Sequence, residues 1–112
     1  MSAEMKINWD VTLTNFDGKL VKKTSDLDSE PATLRFLVCQ SLELQFQDDK
    51  PELKEDRGEL IERILDDAAN QSFKPSEMTL MRERLKRTYS PWIGRRCVKL
   101  LEATNGEMPK AE

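Results

Sequence analysis

Residues 78–99, MTLMRERLKRTYSPWIGRRCVK, predict two consecutive helices and a strong local concentration of positive charge. Met78, Met81, Leu85 and Tyr89 follow one another at positions i, i+3, i+7 and i+11, which is the spacing of one helix face turned toward a core. Ser90 and Pro91 then supply an N-cap and a first helical residue, so a new helix is expected from Pro91 to about residue 103. Its apolar face consists of Ile93, Cys97, Leu100 and Leu101.

The outward side chains of this stretch are basic, although the whole chain carries a net charge of -3. Seven Lys or Arg residues stand against a single acid, Glu83, while the rest of the chain holds 11 basic and 20 acidic residues. The acidic surplus is concentrated in residues 43–67, which precede the stretch. The sequence therefore predicts a molecule with separate acidic and basic surfaces.

The N-terminal region has the pattern of a β-hairpin over residues 5–23. From Ile7 to Thr14, apolar and polar residues alternate strictly, which is typical of a strand with one buried face. Asp17 and Gly18 suit a tight turn, and the KLVKK segment at 19–23 is interpreted as the returning strand.

The remaining segments predict two further helices. Residues 24–32 are polar and are predicted to form a linker. Thr33 can then cap a core helix over about 34–46. A second apolar stripe runs through residues 52–70. The predicted fold class is therefore α+β, with an N-terminal β-hairpin packed on a bundle of about four α-helices. We expect one globular domain over 1–103, helical from 33 to 103, and a disordered tail over 104–112.

Composition excludes most catalytic chemistry. The chain has no histidine, so Ser-His and Cys-His nucleophilic systems are excluded, and Cys39 and Cys97 are too few to form a structural zinc site. We expect both cysteines to be reduced core thiols. The sequence shows no secretory signal and no apolar run long enough for a bilayer, which predicts a cytoplasmic protein. No enzyme activity, cofactor or metal is predicted.

The basic face of the last two predicted helices is the candidate interaction surface. A protein partner would contact Arg82, Lys86, Arg95, Arg96 and Lys99, with Trp92 as an aromatic anchor. Two alternatives stay open for the same residues. The basic helices could pair internally with the acidic helix, or they could bind nucleic acid, since helix-Ser90-Pro91-helix invites a helix-turn-helix interpretation.

Self-association is a third hypothesis, based on the predicted core helix. Phe36, Cys39 and Phe46 fall largely outside its apolar face, so the helix is apolar nearly all round. Either the hairpin covers these side chains or they form a dimer seam.

Several short fragments carry a resemblance to a known group of proteins. They are Phe16-Asp17-Gly18-Lys19, Thr33-Leu34-Arg35, Tyr89-Ser90-Pro91 with Gly94, and Leu100-Leu101-Glu102. In this order they resemble small proteins of unknown function encoded by tailed bacteriophages and prophages. The resemblance implies a phage accessory, regulatory or assembly protein that acts in the bacterial cytoplasm, and it transfers no catalytic residues. In those proteins the positions around Gly94 are more apolar, whereas here they are Arg95 and Arg96.

Overall fold

The computed structural model describes residues 7–24, 28–67 and 70–103 of the chain. Helices occupy most of the second half of this part. Their bounds are α1 Leu34–Glu43, a short 3₁₀ helix Pro51–Leu53, α2 Lys54–Leu65, α3 Pro75–Thr88 and α4 Pro91–Ala103. The predicted tail at 104–112 lies outside the described residues. No helix in the described ranges combines the length and the apolar character that crossing a bilayer requires.

Helix α1 is the centre of the core, and α2, α3 and α4 all pack against it. Thr33 caps it, because the Thr33 hydroxyl accepts a hydrogen bond from the backbone N–H of Phe36 at 3.2 Å. Leu34, Leu37, Val38 and Leu42 are buried, as their spacing predicts. The helix ends at Glu43, three residues before the predicted end.

The α+β fold class is wrong, because the N-terminal segment forms no strand or sheet within the residues that the structure describes. Only isolated bridges occur, joining Thr12 to Thr33, Thr14 to Leu20 and Lys22 to Pro31. Residues 5 and 6 of the predicted hairpin lie outside the described part of the chain.

The physical reason is that the backbone of the first segment divides its hydrogen bonds between two partners. The Leu13 carbonyl accepts from the Val21 N–H at 2.9 Å, but the Val11 and Trp9 carbonyls accept from the first residues of α1, Leu34 and Arg35, each at 2.9 Å. Neither partner follows the segment long enough to build a ladder. The turn itself is present, and Gly18 has a φ of 86°, which side-chain-bearing residues rarely adopt.

The alternating residues of this segment still fill the core without forming a strand. Ile7, Trp9 and Leu13 are buried, and Trp9 makes an edge-on contact with Phe73 at 6.1 Å between ring centroids. The Trp9 indole Nε1 donates to the Asn70 carbonyl at 2.7 Å, which satisfies its one polar atom. The N-terminal segment is thus fixed to the connection between α2 and α3.

The apolar side chains behind the self-association hypothesis are largely occupied within the molecule. Phe36 and Cys39 are half-buried and pack against the core. Phe46 lies beneath two guanidinium groups, with Arg84 and Arg87 centred 4.8 and 4.3 Å from its ring centroid. The surface on which that hypothesis was based is therefore small.

Candidate functional site

A groove between α3 and α4 gathers half of the predicted contact residues. The two helices come close at Gly94, where an added Cβ would lie 3.2 Å from the Leu85 carbonyl oxygen. Helix α4 begins at Pro91, immediately after Ser90, and the Gly94 N–H donates to the Ser90 carbonyl at 2.8 Å. The groove encloses about 350 Å³. Its lining includes Lys86, Pro91, Arg95, Val98, Lys99 and Glu102.

Three cations around this groove have no carboxylate partner among the described residues. Lys86 comes from α3, and Arg95 and Lys99 come from α4 one helical turn apart. All three side chains are exposed, and none takes part in an ion pair within residues 7–24, 28–67 and 70–103. Val98 and Pro91 give the groove an apolar portion on which long aliphatic stems can lie.

Arg82 is placed at the edge of the groove and has a partner. Its guanidinium lies 3.2 Å from the Glu102 carboxylate, which joins α3 to the end of α4, and it also donates to the Thr79 hydroxyl at 3.2 Å. Glu102 is the acid that lines the groove. Since Arg82 already neutralises Glu102, the charges of the three unpaired cations are not cancelled there.

Trp92 and Arg96 lie beside the groove and do not line it. The Trp92 indole Nε1 donates to the Thr14 carbonyl at 2.9 Å, so the start of α4 is attached to the N-terminal segment. The Arg96 guanidinium is 5.5 Å from the Trp92 ring centroid, and the Trp92 side chain is 40% exposed. This pair presents a partly solvated aromatic face with an adjacent cation.

Two other arginines of the basic stretch are used inside the molecule. Arg84 is only 6% exposed and donates to the Ser41 carbonyl at 3.0 Å, to the Leu44 carbonyl and to Asp49 at 2.7 Å. Arg87 donates to Asp48 at 2.6 Å. Internal pairing therefore does occur for these two arginines. Their acidic partners lie in the connection after α1, whereas the internal-pairing alternative expected them on the acidic helix α2.

Arg57 completes the arrangement around the end of α1. It is 3% exposed, and its guanidinium donates to the Leu42 and Leu44 carbonyls at 2.9 and 2.8 Å and to Gln45 at 2.9 Å. These contacts satisfy carbonyls that a helix C-terminus leaves without internal partners. Asp49 lies 3.7 Å from Arg57 and is itself largely buried.

Sequence reasoning missed these buried arginines, although their spacing carried a signal. Arg57 stands three residues before Leu60, and Arg84 stands three residues after Met81, so each lies on the apolar face of its helix. A charged residue at such a position requires a buried partner.

The pKa values of two aspartates and two cysteines are shifted from their ordinary values by hydrogen bonds or by burial. Hydrogen bonds from Arg84 and from the Phe46 backbone lower the pKa of Asp49, and Arg87 lowers the pKa of Asp48. Burial raises the pKa of Cys39 to about 11 and that of Cys97 to about 12. Both cysteines are free thiols, as predicted. The three unpaired cations of the α3–α4 groove, by contrast, can hold an anionic group by charge.

Comparisons with protein-family models, with curated proteins and with solved structures gave no significant match to this chain.

Proposed function

We propose that this chain is a non-enzymatic binding protein whose α3–α4 groove takes an acidic segment of a partner protein. One observation carries the proposal. Of the basic residues in the stretch 78–99, Arg82, Arg84 and Arg87 are paired with acids of the molecule, whereas Lys86, Arg95 and Lys99 share one groove without a carboxylate partner among the described residues.

The spacing of the cations suits a helical acidic ligand. Arg95 and Lys99 are separated by one turn, a rise of about 6 Å along α4. Carboxylates at positions i and i+4 of a ligand helix have the same separation. Lys86 faces them from α3, and the apolar portion at Val98 can accept aliphatic carbons of the ligand.

The expected affinity is moderate and depends on salt. Exposed ion pairs contribute about 0 to 1 kcal/mol each, so three of them do not produce tight binding alone. The Arg96 and Trp92 pair adjoins the groove at the start of α4 and could add a desolvated contact.

Nucleic-acid binding is the second candidate function, favoured by one specific feature. An exposed indole with an arginine beside it is a surface on which a single-stranded base can stack. The overall net charge of -3 weighs against nucleic-acid binding. The phage setting and the bacterial cytoplasm rest on the sequence resemblance and on composition, and both stay predictions.

Fluorescence anisotropy with a labelled helical peptide that carries glutamates one turn apart tests the proposal. We expect wild-type protein to bind it at low ionic strength and the Arg95→Glu/Lys99→Glu variant to lose at least tenfold in affinity. The matched control, Lys19→Glu/Lys50→Glu, changes the net charge equally at exposed sites outside the groove and should bind like wild type.

A labelled single-stranded oligonucleotide is measured in parallel with the same three proteins. Binding of the oligonucleotide and not of the peptide, with the same loss in the groove variant, would favour the second candidate. Equal peptide binding by the groove variant and the control would show that the groove is not the site.

A further inference from the structure

The outer face of α2 is acidic and lies on a different surface from the groove. Glu55, Glu59 and Glu62 stand at positions i, i+4 and i+7 of α2, are exposed, and take part in no ion pair in the described part of the chain. With Gly58 they line a shallow, open depression on the outer surface of α2. No residue of α2 lines the α3–α4 groove.

Glu55 lies in the first turn of α2, where an acid is favourable, but two other features of this face weaken the helix. Like charges one turn apart repel each other, and a glycine inside a helix costs conformational entropy. An added Cβ at Gly58 would meet no atom within 4 Å, and its φ is not positive, so neither packing nor backbone geometry demands a glycine. Such departures from local preference are expected where a surface serves binding.

The face and the groove complement each other in charge and in spacing. Glu55 and Glu59 are one turn apart, about 6 Å along the axis, as are Arg95 and Lys99 on α4. The missing side chain at Gly58 leaves room for a neighbouring helix or a long cation to approach the acids closely. The buried residues Leu60 and Ile64 hold α2 on α1, so this face points away from the core.

We propose that the groove of one molecule accepts the acidic face of α2 from a second copy of the same chain. This inference rests on the proposed function, because it names the second copy as an acidic partner. The contact joins two different surfaces, so each added copy leaves one groove and one acidic face open. Such an interface gives open chains, or a closed ring where the last groove meets the first acidic face. One helix in one groove buries less than a stable interface requires, so the association is weak and favoured by low salt.

Sedimentation equilibrium of the whole chain tests this directly. At an ionic strength of about 10 mM, we expect the weight-average mass to rise steadily above the monomer mass of 13.0 kDa as concentration increases. At about 1 M salt it should return to the monomer value. A wild-type mass that stays at 13.0 kDa at low salt and high concentration overturns the proposal.

Two complementary charge-reversal variants distinguish this interface from nonspecific electrostatic attraction between the molecules. The groove variant Arg95→Glu/Lys99→Glu and the α2 variant Glu55→Lys/Glu59→Lys should each be monomeric alone. An equal mixture should assemble again, because the wild-type groove of one variant meets the wild-type acidic face of the other, and the reversed groove and the reversed face are also opposite in charge. The control Glu43→Lys/Glu52→Lys should assemble like wild type. A mixture that stays monomeric contradicts the proposal.

A second variant guards against misfolding as the cause. Gly58→Gln places a good helix former in the depression, so it should keep or improve the fold while reducing assembly at least tenfold. Unchanged assembly in Gly58→Gln places the contact elsewhere. If the wild type binds the acidic peptide but does not assemble, only this inference fails. If the peptide does not bind either, the proposed function fails with it.

Discussion

The Arg84 guanidinium and the Asp49 carboxylate lie 2.7 Å apart and join the middle of α3 to the connection that follows α1. Both side chains are largely buried, with 7% and 10% of their area exposed. Arg84 also donates to carbonyls at the end of α1, so one side chain fixes a helix terminus and a connection together. The buried part of the basic stretch therefore stabilises the fold.

Replacing Arg84 with methionine should destabilise the protein by about 3 kcal/mol. The change leaves the Asp49 charge with fewer partners and the Ser41 carbonyl without its side-chain donor, which is the costly way to break a buried pair, while the Leu44 carbonyl keeps its hydrogen bond from Arg57. Urea unfolding followed by far-UV circular dichroism measures the free energy. Arg82→Met is the matched control and should cost less than about 1 kcal/mol, because the Arg82 and Glu102 pair is half-exposed. Similar losses in the two variants would contradict the buried role of Arg84.

Stability should decline as the pH falls below about 4, the ordinary range of an aspartate pKa. The pKa values of Asp49 and Asp48 are lower in the folded protein, mainly because Arg84 and Arg87 donate hydrogen bonds to them. Their contribution is thus complete above the unfolded-state pKa and disappears as the pH falls through the folded-state value.

Urea unfolding at a series of pH values from 7 to about 2 checks this pH dependence. Asp49→Asn should be less stable than wild type at neutral pH and should lose less stability on acidification. An Asp49→Asn protein with the wild-type pH profile would show that this carboxylate is not responsible.

Local sequence features were sufficient to predict α3 and α4. Pro75 and Pro91 mark both starts, and the stripe residues Met81, Leu85 and Cys97 are buried as their spacing requires. The hairpin prediction failed because the Trp9 and Val11 carbonyls bond to the first turn of α1, which is distant in sequence, while the Leu13 carbonyl accepts from Val21. Alternation gave the buried side of that segment correctly but did not identify its backbone partners.

The candidate site was predictable only in part, for a similar reason. Lys86, Arg95 and Lys99 come together because two adjacent helices present them on one side. The partners of Arg82 and Trp92 are Glu102 and Thr14, which are set by tertiary packing. The number of basic residues in the sequence therefore overestimated the free basic surface. It could not show that Arg84 and Arg87 pair with aspartates in the connection after α1.

The two helical glycines, Gly94 and Gly58, should respond in opposite ways to alanine. At Gly94 an added Cβ lies 3.2 Å from the Leu85 carbonyl oxygen on a rigid helix, so α4 must shift and we expect a loss of about 1 kcal/mol. At Gly58 the Cβ meets open space, and alanine should raise stability by about 0.5 to 1 kcal/mol. Thermal unfolding of both variants beside wild type measures the contrast. A stabilising Gly94→Ala would show that the helices are not in close contact there.

Both cysteines should resist alkylation in the folded protein, and Cys39 should react before Cys97. Burial raises the pKa of Cys39 to about 11 and that of Cys97 to about 12, so little thiolate exists at pH 8. Cys39 is half-buried, whereas Cys97 is fully buried, which adds a difference in access. Mass spectrometry after iodoacetamide treatment, with Cys39→Ser and Cys97→Ala as single-site controls, gives each rate. In urea both thiols should react at least tenfold faster, because unfolding returns each pKa to about 8.5. Rapid labelling of Cys97 in native buffer would mean that α4 separates from the core, and that the groove formed with α3 is not a fixed surface.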